Sequence, residues 1–283
     1  MSYDESARRN YWIEHMERSF SLMQQMIDYP LVECGETLTS IPEAALDAGV
    51  EMLFSNTKIA DRFDRIFYVR QSLISALIAI GADMNNRGWI LKVEDGFRTR
   101  EMQTALGRSP AVFDTIVSMC LWECEGNTPS VELLDRRARC LVANYPQNGT
   151  HLMGAAVDIS VWQRDDGKEV WRGAPYLDMS ECTMMDSPFV NKDIHHNRRE
   201  ITCMMEQHGF MHYPGEFWHY NQGDAAYHLL RQTAQPAIYG PIEWDAVSGT
   251  VTPFENLTSP LTPPDIMNQN LRAALGRLEN LDV

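Results

Sequence analysis

The stretch GTHLMGAAVDISVW, Gly149–Trp162, decides how the fold and the chemistry of this sequence are interpreted. It places His151 seven residues before Asp158, with small residues between them and an alternating, strand-like run after them. A catalytic zinc ion takes three protein ligands of the His, Asp, Glu or Cys type and leaves a fourth position for water. The stretch therefore predicts two ligands of a metal site, although a polar loop that leads into a core strand is the simpler alternative.

The stretch EFWHY, Glu216–Tyr220, offers the missing ligand and a carboxylate beside it. Glu216 and His219 are three residues apart, and in a regular strand such positions point to opposite faces. A bend or bulge is then needed to bring both side chains to one site, and bulges are common near active sites. His219 is interpreted as the third ligand, and Glu216 as a general base that takes a proton from water.

A cationic candidate lies in EDGFRTR, residues 94–100. The pair Asp95-Gly96 predicts a tight turn at the end of a strand over Trp89–Glu94, and Arg98 follows this turn. A guanidinium in this place can hold a substrate carbonyl or carboxylate, or stabilise an oxyanion. The alternative is a salt bridge that supports the turn.

The bulk composition limits the classes of partner. The 283 residues carry a net charge of −15 at pH 7, which argues against nucleic acid and anionic membranes as partners. No apolar run approaches the roughly 20 residues that span a bilayer. The charged N-terminal residues lack the apolar core of a secretory signal, and the six scattered cysteines form no CxxC pair. These features predict a cytoplasmic protein with reduced cysteines.

The pattern of apolar residues predicts an α+β fold with a small antiparallel sheet flanked by helices, because strands and helices do not alternate as βαβ units. The helical segments are expected at Asp4–Ile27, after Ser40, at Arg65–Met84, across 101–143 and at Arg198–His208 before Gly209. The strands are expected at Trp89–Glu94, Ala156–Trp162 and Glu216–Tyr220. The tail from Pro236 holds six of the fourteen prolines, which predicts an irregular wrap with a short helix near Asn268–Leu278.

Three blocks of this sequence resemble the VanX-type D-alanyl-D-alanine dipeptidases, which are zinc D,D-peptidases of family M15 and share a fold with the hedgehog signalling domain. EDGFRT is similar to the family block D-G-Y-R-P, and THLMGAAVDISV is similar to S-x-H-x-x-G-x-A-x-D. NRREITCMMEQHGFMHYPGEFWHY is similar to the helix, turn and E-W-W-H-Y strand that close the family domain. The resemblance covers roughly Trp89–Tyr220 and implies a hedgehog/DD-peptidase-like fold.

The resemblance also implies roles for particular residues. One Zn²⁺ per chain would be bound by three side chains: His151, Asp158 and His219. Glu216 would be the general base and later the proton donor to the leaving amine. Arg98 would polarise the scissile carbonyl, and Asp95 would orient the substrate or Arg98.

The sequence departs from the family pattern at two substrate-binding places. The signature serine, two residues before the histidine, is replaced by Gly149, so Thr150 would have to bind the substrate carboxylate from a shifted position. The family's acidic partner for the substrate ammonium is also missing, and Asp186 is the nearest candidate, with Asp178 second. The zinc machinery is therefore better supported than dipeptide specificity.

The expected function is zinc-dependent hydrolysis of a small peptide, with a D-amino-acid dipeptide such as D-Ala-D-Ala as the favoured substrate. Two alternatives stay open: a D,D- or L,D-carboxypeptidase that acts on cell-wall peptides, and a non-catalytic zinc-dependent binding module. A homo-oligomer is also open. The chain is divided into an N-terminal helical elaboration (1–70), a zinc peptidase domain (71–235) and a C-terminal extension packed on that domain (236–283).

Overall fold

A computed structural model describes residues 4–280 of the chain. Helices surround a small central sheet, so the predicted α+β class is confirmed. The α-helices of the described residues are Glu5–Ile27 (α1), Ile41–Asp47 (α2), Ile74–Asn86 (α3), Arg100–Arg108 (α4), Pro110–Glu123 (α5), Val131–Val142 (α6), Lys192–Gln207 (α7), Ala225–Leu230 (α8) and Pro264–Glu279 (α9).

The strands of the described residues are Leu38–Ser40 (β1), Met52–Phe54 (β2), Tyr68–Arg70 (β3), Trp89–Asp95 (β4), Ala156–Gln163 (β5), Met211–His212 (β6), His219–Asn221 (β7), Ile242–Trp244 (β8) and Val251–Pro253 (β9). The central sheet has the order β2-β4-β5-β7-β6 and is antiparallel at three of its pairs, as expected. The edge strand β2 is parallel to β4, because the chain between them crosses over through α3.

Local sequence explains where several helices begin and end. Ser40 accepts a hydrogen bond from the Glu43 backbone N–H at 3.3 Å, which caps α2. Gly209 follows α7 with a φ of +93°, so the predicted glycine stop is confirmed. The three helices α4, α5 and α6 fill the segment that was predicted to be mainly helical.

The predicted helix over Arg65–Met84 is wrong in its first part. Residues 68–70 form β3 instead, which pairs with β1, and helix α3 begins only at Ile74. The Phe97 N–H donates to the Tyr68 carbonyl at 3.0 Å, and the Arg70 N–H donates to the Gly154 carbonyl at 2.9 Å. These pairings with distant segments override the local helical pattern.

The C-terminal tail is more regular than its proline content predicted. Strands β8 and β9 form a hairpin, and α9 begins at Pro264, four residues before the expected start of a helix. Pro253 ends β9 and Pro264 begins α9, and at such ends a missing N–H costs little. Helix α9 packs against α5 and α6 through Met267, Leu271 and Ala274. The division at 70 and 235 stays a prediction.

The sheet sets the position of the site. Its inner face buries apolar side chains against α3 and α7, with Leu77, Leu91, Ile159 and Ile201 fully buried. In the register of the sheet, Asp158 pairs with both Asp95 of β4 and His219 of β7. Three polar side chains thus stand in one row across neighbouring strands. No helix within residues 4–280 is long and apolar enough to cross a bilayer.

Candidate metal centre and active site

His151 is delivered to the row by a tight loop before β5. Residues 150–153 form a single 3₁₀ turn, which ends at Gly154 with a φ of +64°. This backbone angle favours glycine, and a Cβ at Gly154 would also approach Leu38 Cδ2 to 2.5 Å and displace that side chain. His151 Nδ1 lies 2.7 Å from the Gly96 carbonyl oxygen and donates a hydrogen bond to it. The other ring nitrogen, Nε2, therefore carries no proton and has its electron pair free to bind a metal.

The predicted ligand residues come together in the structure. His151 Nε2 lies 3.2 Å from Asp158 Oδ1, and His219 Nδ1 lies 2.9 Å from the same oxygen. One donor atom from each residue falls within 4.8 Å of the others, and all three residues are buried. Two imidazole nitrogens and a carboxylate oxygen, held this closely, fit the donor set of a catalytic zinc ion.

Metal binding needs neutral imidazole and ionised carboxylate, and the protonation states of His151 and Asp158 suit it. Burial and the nearby Arg98 guanidinium lower the pKa of His151. Burial acts to raise the pKa of Asp158, but the charge and hydrogen bonds of the two histidines hold that pKa well below its usual value. Burial acts to lower the pKa of His219, but the hydrogen bond and charge of Asp158 raise it above its usual value, so a metal ion bound here would displace a proton.

Two further residues form hydrogen bonds to the polar atoms of His219 and Asp158 that do not face the centre of the cluster. The Thr150 hydroxyl is 3.0 Å from His219 Nε2, and the Tyr176 hydroxyl donates to Asp158 Oδ2 at 2.9 Å. Such outer hydrogen bonds fix the ring tautomer and the carboxylate orientation. Tyr176 was missed in the sequence, because it lies on a loop 18 residues after Asp158 with no spacing signal.

Tyr176→Phe is therefore expected to weaken zinc binding about 10-fold, since the outer partners of metal ligands typically contribute 10- to 100-fold in affinity. A competitive chelator titration measures this. Tyr227→Phe is the matched control, because the Tyr227 hydroxyl accepts a hydrogen bond from Arg231, just after α8, and not from a candidate ligand residue. Equal zinc affinity in Tyr176→Phe and wild type would contradict the assigned contact.

Glu216 lies in a turn and not in a strand, which corrects the prediction of a strand over Glu216–Tyr220. The Glu216 N–H donates to the Tyr213 carbonyl, and the His219 N–H donates to the Glu216 carbonyl, both at 3.2 Å. Strand β7 starts only at His219, so both side chains reach one cavity without a bulge. Burial raises the pKa of Glu216 to about 7, against the lowering effect of His219.

Arg98 lines the same cavity, and Asp95 holds it there. Arg98 Nε donates to Asp95 Oδ2 at 2.8 Å, and Nη1 donates to Gln103 Oε1 at 3.1 Å. Its Nη2 is 3.5 Å from Asp158 Oδ2. Asp95 is fully buried, is also paired with Arg65 at 2.8 Å, and does not line the cavity. Of the two roles expected for Asp95, the geometry therefore favours orienting Arg98 over touching substrate.

The other two predicted substrate-binding residues lie in different surroundings. Thr150 lines the cavity, but its hydroxyl contacts the His219 ring. Asp186 is exposed on the surface and does not line the cavity, and its charge acts on Tyr11 of α1. The structure therefore does not bring Asp186 to the site, and Asp178 does not line the cavity either. The sequence pattern gave only their order along the chain and not the path of this loop.

The cavity around these groups measures about 80 Å³. The residues that line it include the five candidate site residues: His151, Asp158, His219, Glu216 and Arg98. Apolar side chains line much of the remainder, and they come from α1, α4, α6 and the loop after Tyr176: Met23, Met26, Leu106, Leu141, Val142, Leu177 and Met179. The N-terminal helix α1 is thus part of the wall of the site.

Comparison with known proteins gives the same family as the motifs. The Peptidase_M15 family, described as D-ala-D-ala dipeptidase, matches residues 54–235. A D-alanyl-D-alanine dipeptidase of Enterococcus faecium is 27% identical over 103 residues, which are 36% of this chain and 50% of the relative. A D-alanyl-D-alanine dipeptidase of Enterococcus faecalis is 28% identical over 100 residues, which are 35% of this chain and 48% of the relative. The match spans about half the length of these curated relatives.

Two solved structures are also similar. The LD-carboxypeptidase LdcB is 20% identical, with a TM-score of 0.37, and the match covers 72% of this chain and 77% of that one. A zinc complex of the vancomycin-resistance D,D-pentapeptidase VanY is 18% identical, with a TM-score of 0.34 and coverage of 61% and 77%. These scores are low, so the family assignment rests on the sequence match.

Proposed function

This chain belongs to the Peptidase_M15 family, and on that premise we propose that it is a zinc-dependent peptidase that cleaves a D-amino-acid dipeptide such as D-Ala-D-Ala. The observation that carries the proposal is the cluster of His151, Asp158 and His219 on one cavity with Glu216 and Arg98. A binding module needs the first three groups but neither of the last two.

The proposed cofactor is one Zn²⁺ per chain, held by His151 Nε2, Asp158 Oδ1 and His219 Nδ1. When bound, such an ion lowers the pKa of water and polarises a carbonyl oxygen. The protein's part is to orient both imidazoles so that one ring nitrogen of each faces the ion. The Gly96 carbonyl does this for His151, and the Thr150 hydroxyl does it for His219.

Glu216 is proposed to move the protons. Its carboxylate takes a proton from the attacking water and passes it to the leaving amine nitrogen as the C–N bond breaks. A carboxyl group suits this double role when its pKa lies near the working pH, and burial raises the pKa of Glu216 to about 7.

Arg98 is proposed to stabilise negative charge on the carbonyl oxygen. It is oriented by Asp95 and Gln103 and is buried, so its charge acts in a medium of low dielectric constant. The Arg98 guanidinium stays protonated throughout, because the charges of Asp95 and Asp158 outweigh the effect of burial and raise its pKa. Arg98 thus supplies a fixed positive charge where the oxyanion forms.

The shape of the cavity supports a small substrate over a long wall peptide. Met23 and Met26 of α1 form part of the cavity wall, and the cavity volume is about 80 Å³. A dipeptide is the smallest peptide that carries a scissile bond. A small cavity with a largely apolar lining fits two residues with small apolar side chains.

The pH dependence follows from the Glu216 carboxyl group. The base must be deprotonated, so kcat/KM should rise with pH through the pKa of Glu216 and be lost as pH falls below it. The buried carboxyl has a pKa of about 7, and a bound cation favours the carboxylate, so the acid limb should lie at or below about 7. A rate profile with saturating zinc from acid to neutral pH measures this limb. A limb centred above pH 8 would contradict the assignment.

The test of the function is turnover on a substrate panel by the zinc-loaded protein. We expect cleavage of free D-Ala-D-Ala and slow or no cleavage of longer wall peptides that end in D-Ala-D-Ala or in an L,D bond. Faster cleavage of the longer peptides would contradict the assignment as a dipeptidase and indicate a carboxypeptidase. If the protein binds zinc but cleaves no peptide of the panel, the non-catalytic zinc-dependent binding module is the function that remains.

A further inference from the structure

Arg172 and Arg198 are buried arginines that pair with no carboxylate among residues 4–280. Each is 1% exposed, and each donates to backbone carbonyls instead. Burial lowers the pKa of Arg172, and burial together with the charge of Arg172 lowers the pKa of Arg198 to about 10. Burying a cation without a counterion is costly. The carbonyls that these groups reach therefore indicate what their burial achieves.

The Arg172 guanidinium joins two backbone segments of the candidate active site. Its Nη1 donates to the Phe217 carbonyl at 3.0 Å, and its Nη2 donates to the Ile159 carbonyl at 2.5 Å. Ile159 directly follows Asp158 in β5, and Asp158 is a candidate metal ligand. Phe217 directly follows Glu216, the proposed base. One planar fork thus connects the strand that carries a ligand with the turn that carries the base.

Arg172 takes the place of a hydrogen bond that the sheet lacks at this point. The Ile159 N–H donates to the Trp218 carbonyl at 3.0 Å, just beyond the last register pair of β5 and β7. A regular antiparallel pair would return a second bond, from the Trp218 N–H to the Ile159 carbonyl. Within residues 4–280 that carbonyl is bonded by Arg172 instead. The chain leaves the sheet here to form the turn that holds Glu216.

The other side of this turn rests on the loop before α7, which Arg198 holds. The Phe217 N–H donates to the Thr183 carbonyl of that loop at 3.3 Å. Arg198 donates to the Cys182 carbonyl at 2.6 Å and to the Arg172 carbonyl at 2.8 Å. The guanidinium carbons of Arg172 and Arg198 lie 4.8 and 4.7 Å from the centroid of the Phe217 ring. Arg198 thus fixes the loop, whereas Arg172 alone reaches from this loop to β5.

We propose that Arg172 is a positioning residue: it fixes the turn of Glu216 against β5 and so holds the Glu216 carboxylate at its working distance from the metal ligands. The inference rests on the proposed function, in which Glu216 moves the protons. Arg172 does not line the cavity, so it touches neither the substrate nor the ion. Its effect passes through the Ile159 and Phe217 carbonyls.

The kinetic test uses Arg172→Met in the zinc-loaded full chain, because methionine keeps an unbranched side chain and removes the donors and the charge. We expect kcat to fall about 10- to 100-fold, since a misplacement of about 1 Å at a reacting group costs up to about 10²-fold. KM should change less than about threefold, because no contact with the substrate is lost. Zinc content should stay that of wild type, since the proposed ligands are unchanged.

A double-mutant cycle shows whether Arg172 acts through Glu216. In the Glu216→Gln background, Arg172→Met should lower kcat by less than about threefold more, because the group that it positions is already inactive. Losses that multiply in full would overturn the proposal. Arg172→Lys keeps the charge but lacks the two-pronged fork, so it should recover part of the lost kcat, and it replaces Arg172→Met if that variant does not fold. Wild-type kcat in every folded variant would also overturn it.

Hydrogen exchange of backbone amides tests the same contact without turnover. In Arg172→Met, amides within residues 213–219 should exchange about 10- to 100-fold faster, the loss expected for a hydrogen bond to a charged group, whereas those of residues 89–95 should change less than about twofold. Ile80→Ala is the control, because Ile80 is fully buried between α3 and the inner face of the sheet. It should lower the melting temperature without a selective change in residues 213–219 or in kcat. Equal exchange of residues 213–219 in Arg172→Met and wild type would refute the positioning role.

The exchange measurement separates this inference from the proposed function. Selective loosening of residues 213–219 in Arg172→Met, with no dipeptide cleaved by wild type, would refute the dipeptidase and keep the contact of Arg172 with the turn. Cleavage of dipeptides by wild type, with unchanged exchange and kcat in Arg172→Met, would refute the positioning role and keep the dipeptidase.

Discussion

Glu216→Gln is expected to lower kcat by about 10³-fold, within the 10²- to 10⁴-fold range of positioned proton transfer. Glutamine keeps the volume and one carbonyl oxygen of the side chain, but it cannot take a proton from water at neutral pH. Zinc content should remain that of wild type, because the three proposed ligands are untouched. KM should change little, since the lost interaction belongs to the transition state. Steady-state kinetics with metal analysis on the same sample measure all three.

Glu206→Gln is the matched control for this variant. Glu206 is on the same closing segment of the chain, but it is exposed and bonds His212 at 2.6 Å instead of lining the cavity. Its kcat should stay within about twofold of wild type, because surface substitutions away from special features change little. Equal activity of Glu216→Gln and Glu206→Gln would remove Glu216 from the mechanism.

Removal of the metal is expected to have the largest effect of all. Chelation should lower turnover by at least about 10³-fold, because a Lewis acid contributes several kcal/mol to the stabilisation of the transition state. Re-addition of one equivalent of zinc should restore it. The melting temperature should rise with zinc, and the free energy of unfolding should gain about 2.7 kcal/mol at a zinc concentration 100 times its dissociation constant.

A ligand variant gives the same result without a chelator. His219→Ala should lose both zinc and turnover, whereas His212→Ala should keep both, because His212 bonds Glu206 outside the cavity. Turnover that survives in stripped protein and in His219→Ala would show that catalysis does not use this centre.

The sequence predicted the candidate ligand residues better than their surroundings. His151, Asp158 and His219 were found because their order and spacing follow a motif, and adjacent strands then bring them together in register. Tyr176 and Thr150 could not be given their places behind the ligands, because a hydrogen bond to a ligand leaves no spacing pattern. Only the folded loop and the pairing of strands define those contacts.

Other errors share one cause, which is tertiary contact. Residues 65–70 have helical apolar spacing, yet pairing with β1 holds 68–70 extended. Glu216 looked like a strand residue, yet a turn places it. Asp186 was chosen for its position along the chain, yet its loop carries it to the surface. The contribution of α1 to the cavity likewise depends on packing between segments more than 100 residues apart, as in the contact of Asn148 with Met23.

The most direct test is to locate the metal in crystals of the zinc-loaded chain by anomalous scattering at the zinc edge. We predict one zinc peak per chain, within about 2.0–2.2 Å of His151 Nε2, Asp158 Oδ1 and His219 Nδ1, with a fourth position facing Glu216. A chain that takes up zinc only at other residues, or takes up none, would contradict the metal centre and the hydrolysis that depends on it.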